Sequence, residues 1–361
     1  MFNVSGTRNL TALSSNSTSS FDSPLKINWT FIPIFLTILT PPTIVLNTTV
    51  LLILLTTRSL RTVFNVYIIN LLLSDFGVTV SVYSLDIINF LYPRWVLDDQ
   101  ACTAYLYLQS IFHASTLNAH ALLGVNRIWA VYFPLHYRQH QIGSMKKAIS
   151  ICIVTFIVIN AFVIPGIARD ALYFRVPLNF LPCFVNNAAQ PVWARIQQAL
   201  VYDLPLAFLV ATIPLVWYKR WGRIRNRNRV TIHSRAPVNA GHLQSSDKPR
   251  AGKMIPSSIA EGSVDTGNAG NLRQAHGEKS SFNVWLTLTV STLICWTPLL
   301  VYFNMAIAGQ QAPTQLFQLG VVLYSLTVLV DPFLFIVIIP DVKARLRSLF
   351  SGLQRTCGHQ T

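Results

Sequence analysis

Seven apolar segments, each long enough to cross a bilayer, constrain this chain more than any other feature of its sequence. They cover roughly residues 31–57, 63–91, 101–133, 148–168, 196–218, 282–308 and 313–339. A crossing helix needs about 20 apolar residues, and backbone groups in lipid must find their hydrogen bonds within the segment. We therefore predict an all-α membrane protein, a bundle of seven transmembrane helices over 31–340.

The distribution of basic residues orients this bundle. With the N-terminus outside, 22 of the 28 Lys and Arg residues fall in the inner segments, as expected for cytoplasmic loops. We predict a multi-pass plasma-membrane protein with an extracellular N-terminus. Its net charge of +15 is then mostly a cytoplasmic surface that faces anionic membrane lipids, and no nucleic-acid partner is expected.

Residues 1–30 form a polar tail with four acceptor sequons, which predicts extracellular glycosylation. The acceptor asparagines are Asn3, Asn9, Asn16 and Asn28. Of the five cysteines, only Cys102 and Cys183 lie outside the bilayer on the oxidising side in this topology. They are the predicted disulfide, which would tie the top of the third span to the loop after the fourth.

Two stretches flank the last spans on the inner side. The apolar pattern stops over 219–281, which we interpret as a basic helical extension of the fifth span followed by a disordered third inner loop. In 341–361, Val342 and Leu346 recur at helical spacing between basic residues, which predicts an amphipathic helix on the membrane surface and a short tail. Cys357 is a candidate for palmitoylation.

Landmarks in six of the seven spans resemble those of the rhodopsin-like (class A) G-protein-coupled receptors, over residues 31 to about 355. They are Asn47, Asp75, Trp95 before Cys102, "NRI" at 126–128, Pro205, "CWTP" at 295–298 and "DPFLF" at 331–335. The resemblance implies a receptor that binds an extracellular ligand and activates a heterotrimeric G protein. No Walker loop, metal-ligand spacing or nucleophile elbow is present in the sequence, so an enzyme is not expected.

The inner switch implied by the resemblance centres on Arg127, with Glu278 as its candidate partner at rest. Asn126 stands where the family usually has an aspartate. Because an amide cannot neutralise a guanidinium as a carboxylate does, we expect appreciable signalling without ligand.

The resemblance also implies a relay and a polar cluster in the bundle. The relay residues are Trp296, Pro298, Asp331, Pro332 and Phe335, where Phe335 replaces a tyrosine. The cluster residues are Asn47, Asp75, Thr116 and Asp331, where many receptors of this type hold a sodium ion. Here Asp331 replaces an asparagine, so two carboxylates either bind a cation more strongly or share a proton. A hydrogen-bonded polar cluster without an ion is the alternative.

The ligand is constrained by two positions. Gln109 stands where amine receptors carry an aspartate, which argues against a biogenic amine. Ser325 stands where retinal-binding receptors carry the lysine that bonds to retinal, which excludes a retinal Schiff base. The glycosylated tail, the outer loop 169–195 and the polar Gln109 favour a peptide. The pocket candidates are Gln109, His113, Gln197, Tyr202 and Trp296. The alternatives are a chemosensory or other small-molecule receptor of the same family, or a seven-helix ion or proton transporter.

Overall fold

The computed structural model describes residues 27–141, 145–233 and 266–357. The first four spans are the helices Phe31–Thr56, Val63–Leu91, Asp99–Tyr132 and Met145–Phe174. The fifth begins as Pro191–Gln197, passes through a π-helical turn at Gln198–Asp203 and continues as Leu204–His233. The sixth is Thr266–Ile307 and the seventh is Thr314–Ile338. The predicted all-α bundle is confirmed.

Six of these helices are long and apolar enough to cross a membrane. The remaining predicted span, Asp99–Tyr132, has 34 residues but is more polar, because Gln109, His113, Asn118 and His120 lie within it. These polar side chains are at least partly buried in the bundle. The third span is therefore less apolar than the others because its polar side chains face the interior of the bundle.

Short helices complete the inner side. Pro134–Gln141 follows the third span, and Pro340–Cys357 follows the seventh, with Val342 fully buried against the bundle. The fifth and sixth spans extend as helices into both ends of the predicted loop 219–281, and 234–265 lies outside the described residues. The side chains of Glu278 and Cys357, and the residues Asn3, Asn9 and Asn16, also lie outside them. Asn28 is described and exposed.

Three threonines inside the first span are satisfied by the backbone of their own helix. Thr37, Thr40 and Thr43 each donate from Oγ1 to the carbonyl four residues earlier, at 2.7 Å. This hydrogen bond gives each hydroxyl proton an acceptor in an apolar environment. The first span therefore accommodates these threonines without a partner helix.

The second and third spans run antiparallel and pack closely. An added Cβ at Gly77 would lie 2.2 Å from the Phe112 ring, so only glycine leaves room for that ring. Both carboxylates of the second span face the third: Asp75 meets Thr116, and Asp86 meets Tyr105. Asp75 and Asp86 are eleven residues apart on the second span, about three helical turns, and Tyr105 and Thr116 are equally far apart on the third. One polar contact therefore lies at mid-bundle and the other lies nearer Cys102.

The disulfide Cys102–Cys183 is present as predicted, and it marks the end of the bundle that we call the outer end. Asn89 reinforces it: Cys183 N–H donates to Asn89 Oδ1 at 2.9 Å, and Asn89 Nδ2 donates to Cys183 O at 3.0 Å. Nearby, Arg175 binds Asp170 at 2.7 Å and Asp99 at 3.3 Å. The loop after the fourth span is therefore held against the second and third spans.

Candidate functional site

The polar cluster at mid-bundle forms around Asp75, which is fully buried. Thr116 Oγ1 donates to Asp75 Oδ1 at 3.1 Å. Asn47 Nδ2 donates to the carbonyls of Thr43 and Val328, each at 3.0 Å, and so ties the first span to the seventh. Asp75 Oδ2 and Asn47 Oδ1 accept no hydrogen bond within the described part of the chain. Two hard oxygen donors are therefore left free in the interior.

Asp331 is also fully buried, and its neighbour is a histidine that the sequence analysis did not identify. His120 Nε2 lies 3.0 Å from Asp331 Oδ2, although the angles fall outside those of a hydrogen bond. His120 is 2% exposed. It lies one helical turn after Thr116 and two turns before Arg127. The helical spacing of these three residues on one face of the third span was therefore a signal that could have identified it.

The other ring nitrogen of His120 contacts the sixth span. Thr292 Oγ1 lies 3.1 Å from His120 Nδ1 and is also hydrogen-bonded to Leu288 O at 2.7 Å. Because Nε2 faces the Asp331 carboxyl on the seventh span, His120 links the third, sixth and seventh spans.

At the inner end, Arg127 is 8% exposed and its guanidinium carbon lies 3.6 Å from the centroid of the Phe64 ring. This is a close cation–π contact, and Arg127 Nε has no hydrogen-bond partner among the described residues. Asn126 Oδ1 accepts from Tyr137 OH at 3.2 Å. The aromatic partner Phe64 carries no charge and gave no signal in the sequence.

The predicted relay residues occupy the core between the sixth and seventh spans. Phe335 is fully buried in the apolar cluster of the inner half. Trp296 is 2% exposed, and its ring lies 5.5 Å from that of Tyr324. His113 also contacts both rings, and its Nε2 is hydrogen-bonded to Tyr324 OH. The pocket candidates His113 and Trp296 are therefore brought together. Pro298 and Pro332 lie inside their helices, where each removes a backbone hydrogen bond.

The remaining pocket candidates divide between two places. Gln109 Nε2 donates to Tyr105 OH at 3.1 Å and to Asp86 Oδ1 at 3.4 Å. Tyr202 OH donates to Ser110 O at 3.1 Å, and joins the fifth span to the third. Gln197 is buried, and its Oε1 has no partner within the described residues. Asp86 was missed by the sequence analysis, although an ionisable residue inside a span is by itself a functional signal.

The chain is similar in sequence to known seven-transmembrane receptors. The family model "7 transmembrane receptor (rhodopsin family)" matches residues 46–335. The chain is similar to Opsin Rh1 of Calliphora vicina, at 37% identity over 81 residues, 22% of each chain. It is also similar to the Histamine H1 receptor of Bos taurus, at 23% identity over 62% of this chain and 43% of that receptor.

A third relative is the Alpha-2B adrenergic receptor of Didelphis virginiana, at 30% identity over 54% of this chain and 49% of that receptor. The chain thus spans half or less of the length of the relatives it matches.

Proposed function

The chain belongs to the rhodopsin family of seven-transmembrane receptors, and from that premise we propose that it binds an extracellular ligand at its outer end and activates a heterotrimeric G protein at its inner end. The observation that carries this proposal is Arg127, a buried arginine at the inner end of the third span that is held against an aromatic ring. Such an arginine is available to a partner when the ring contact breaks.

The ligand that we propose is a small amine. The preference for a peptide derived from the sequence finds no support among the relatives, several of which are named for histamine, tyramine or octopamine. The exclusion of amines relied on Gln109 alone. In the folded chain Gln109 contacts the carboxyl group of Asp86, so the outer end does contain an acidic side chain.

The proposed activation step is a change at the contacts that join the third, sixth and seventh spans. His120 contacts Asp331 on the seventh span and Thr292 on the sixth, while Trp296 and Tyr324 connect these spans nearer the outer end. A ligand that binds one arrangement of the outer contacts more tightly than another shifts the equilibrium between them. The inner ends then separate and expose Arg127 to the G protein.

We propose that the polar cluster binds a sodium ion. The unpartnered oxygens Asp75 Oδ2, Asn47 Oδ1 and Asp331 Oδ1 are of the type that hard cations accept. A bound ion would supply the positive charge that Asp75 lacks. His120 already lies beside Asp331, so we propose that the ion binds next to Asp75. Plasma-membrane localisation and an extracellular N-terminus are part of the same proposal.

The experiment that tests this function is ligand-free G-protein activation in transfected cells, across a panel of G-protein classes, at matched surface expression. We expect a basal signal in one class that Arg127→Ala removes. The exposed inner arginine Arg58 provides the matched control, since Arg58→Ala should keep the signal. A flat response in every class, together with an ion flux that persists without G protein, would instead support a transporter.

A further inference from the structure

Asp86 is a buried carboxylate with one oxygen to spare. It is 3% exposed, and its Oδ1 accepts from Tyr105 OH at 2.5 Å and from Gln109 Nε2 at 3.4 Å. Its Oδ2 accepts no hydrogen bond from any residue that the structure describes. Both neutral donors converge on one oxygen, so the other oxygen remains available to a further donor.

No positive group of the described chain compensates Asp86. Two arginines at the outer end are committed elsewhere: Arg175 binds Asp170 and Asp99, and Arg94 donates to Asn179 O at 3.3 Å. A buried carboxylate without a counter-ion is costly. An incoming cation that reaches Asp86 would relieve that cost, which makes the position selective for positively charged ligands.

An aromatic cluster lies beneath Gln109. His113 follows Gln109 by one helical turn, about 6 Å along the axis, and its ring packs 4.6 Å from Tyr324, which in turn packs against Trp296. Two buried polar atoms at this level, Trp296 Nε1 and Ser325 Oγ, have no hydrogen-bond partner in the described residues. The cluster therefore offers ring faces together with unsatisfied polar atoms, as a polar aromatic ligand requires.

We infer that Asp86, on the second span, is the anionic anchor for the protonated nitrogen of an arylalkylamine ligand, whose ring packs on His113, Trp296 and Tyr324. Gln109 orients the carboxylate, and so the position at which amine receptors carry their aspartate keeps an indirect role. The inference deepens the proposed function and rests on it. It explains how a chain with glutamine at residue 109 retains an amine-binding carboxylate within contact of that residue.

The test uses the full chain in cells, with tyramine, octopamine, histamine and noradrenaline as the probes. We expect at least one amine to activate a G protein. Asp86→Asn should raise its half-maximal concentration about 10- to 100-fold, the loss expected for a charge-assisted hydrogen bond. The double variant Asp86→Asn/Gln109→Asp returns a carboxylate to the same contact and should recover part of that loss. Surface expression is measured for every variant.

A second measurement avoids mutation altogether. On the unmodified receptor, the active amine is compared with the matching alcohol, in which a hydroxyl replaces the amino group, and the alcohol should be at least about 10-fold weaker. Equal potency of the two, or an unchanged half-maximal concentration in Asp86→Asn, overturns the inference.

Failure of the amine anchor at Asp86 can be distinguished from failure of the proposed G-protein function. If no amine activates a receptor whose basal signal depends on Arg127, the amine anchor is wrong and the G-protein function stands. If neither a basal signal nor an amine response exists in any G-protein class, both are overturned.

Discussion

His120 and Asp331 meet at 3.0 Å in the interior of the bundle and join the third span to the seventh through two buried ionisable side chains. Each side chain is the polar partner of the other, whereas either group alone would be an uncompensated polar or charged group in an apolar interior.

Breaking this pair from one side should therefore be more harmful than removing it. His120→Leu leaves Asp331 buried without its partner, and we expect a lower melting temperature in detergent, equivalent to a loss of about 3–5 kcal/mol. The double variant His120→Leu/Asp331→Asn should recover much of the loss. A double variant as unstable as His120→Leu would show that the two side chains are energetically independent.

The contact between Arg127 and Phe64 should restrain the resting state. Phe64→Leu removes the ring face under the guanidinium, and we expect ligand-free G-protein activation to rise about 2- to 30-fold, as the loss of a cation–π contact of about 0.5–2 kcal/mol implies. Phe64→Tyr keeps the ring and is the matched control. Basal activity that is equal in the leucine and tyrosine variants would contradict a restraining role for the ring.

The neighbouring residue Asn126 bears on the same restraint. Asn126→Asp places a carboxylate beside Arg127, and we expect it to lower the basal signal because a carboxylate neutralises a guanidinium and an amide does not. The measurement is ligand-free G-protein activation at matched surface expression. A basal signal in Asn126→Asp at or above the unmodified level would argue against the expectation of ligand-free signalling that the sequence suggested.

Sodium should stabilise the receptor through Asp75. We expect the melting temperature of the purified receptor to be about 2–6 °C higher in sodium chloride than in choline chloride at the same ionic strength, as a ligand that binds only the folded state implies. Asp75→Asn should abolish this difference, because it removes the charge and the free Oδ2. Identical melting temperatures of the unmodified receptor in the two salts would rule out the ion.

The disulfide should contribute strongly to stability. Cys183→Ser is expected to lower the melting temperature and surface expression, with a loss of about 2–5 kcal/mol. Cys152 is a free cysteine, so Cys152→Ser is the matched control and should leave both unchanged. Equal stability of the two variants would mean that the Asn89 hydrogen bonds and the Arg175 ion pairs hold the loop without the disulfide.

The sequence by itself determined the spans, the all-α bundle and the disulfide, because lipid leaves a crossing segment only one way to satisfy its backbone. It also identified Asp75 and Arg127, since an ionisable residue within an apolar run is visible without any neighbour. Thr116 was found through resemblance, and its contact with Asp75 follows from the register of the second and third spans.

Only the tertiary structure decided which side chains meet across helices. His120 with Asp331, Phe64 with Arg127, and Asp86 with Gln109 are separated by 23 to 211 residues along the chain. A single sequence records helical periodicity, which relates residues three or four apart on one face, but it contains no measure of how one helix is rotated against another. That rotation is set by packing at close contacts such as Gly77 against Phe112, and it determines the partner of each buried charge.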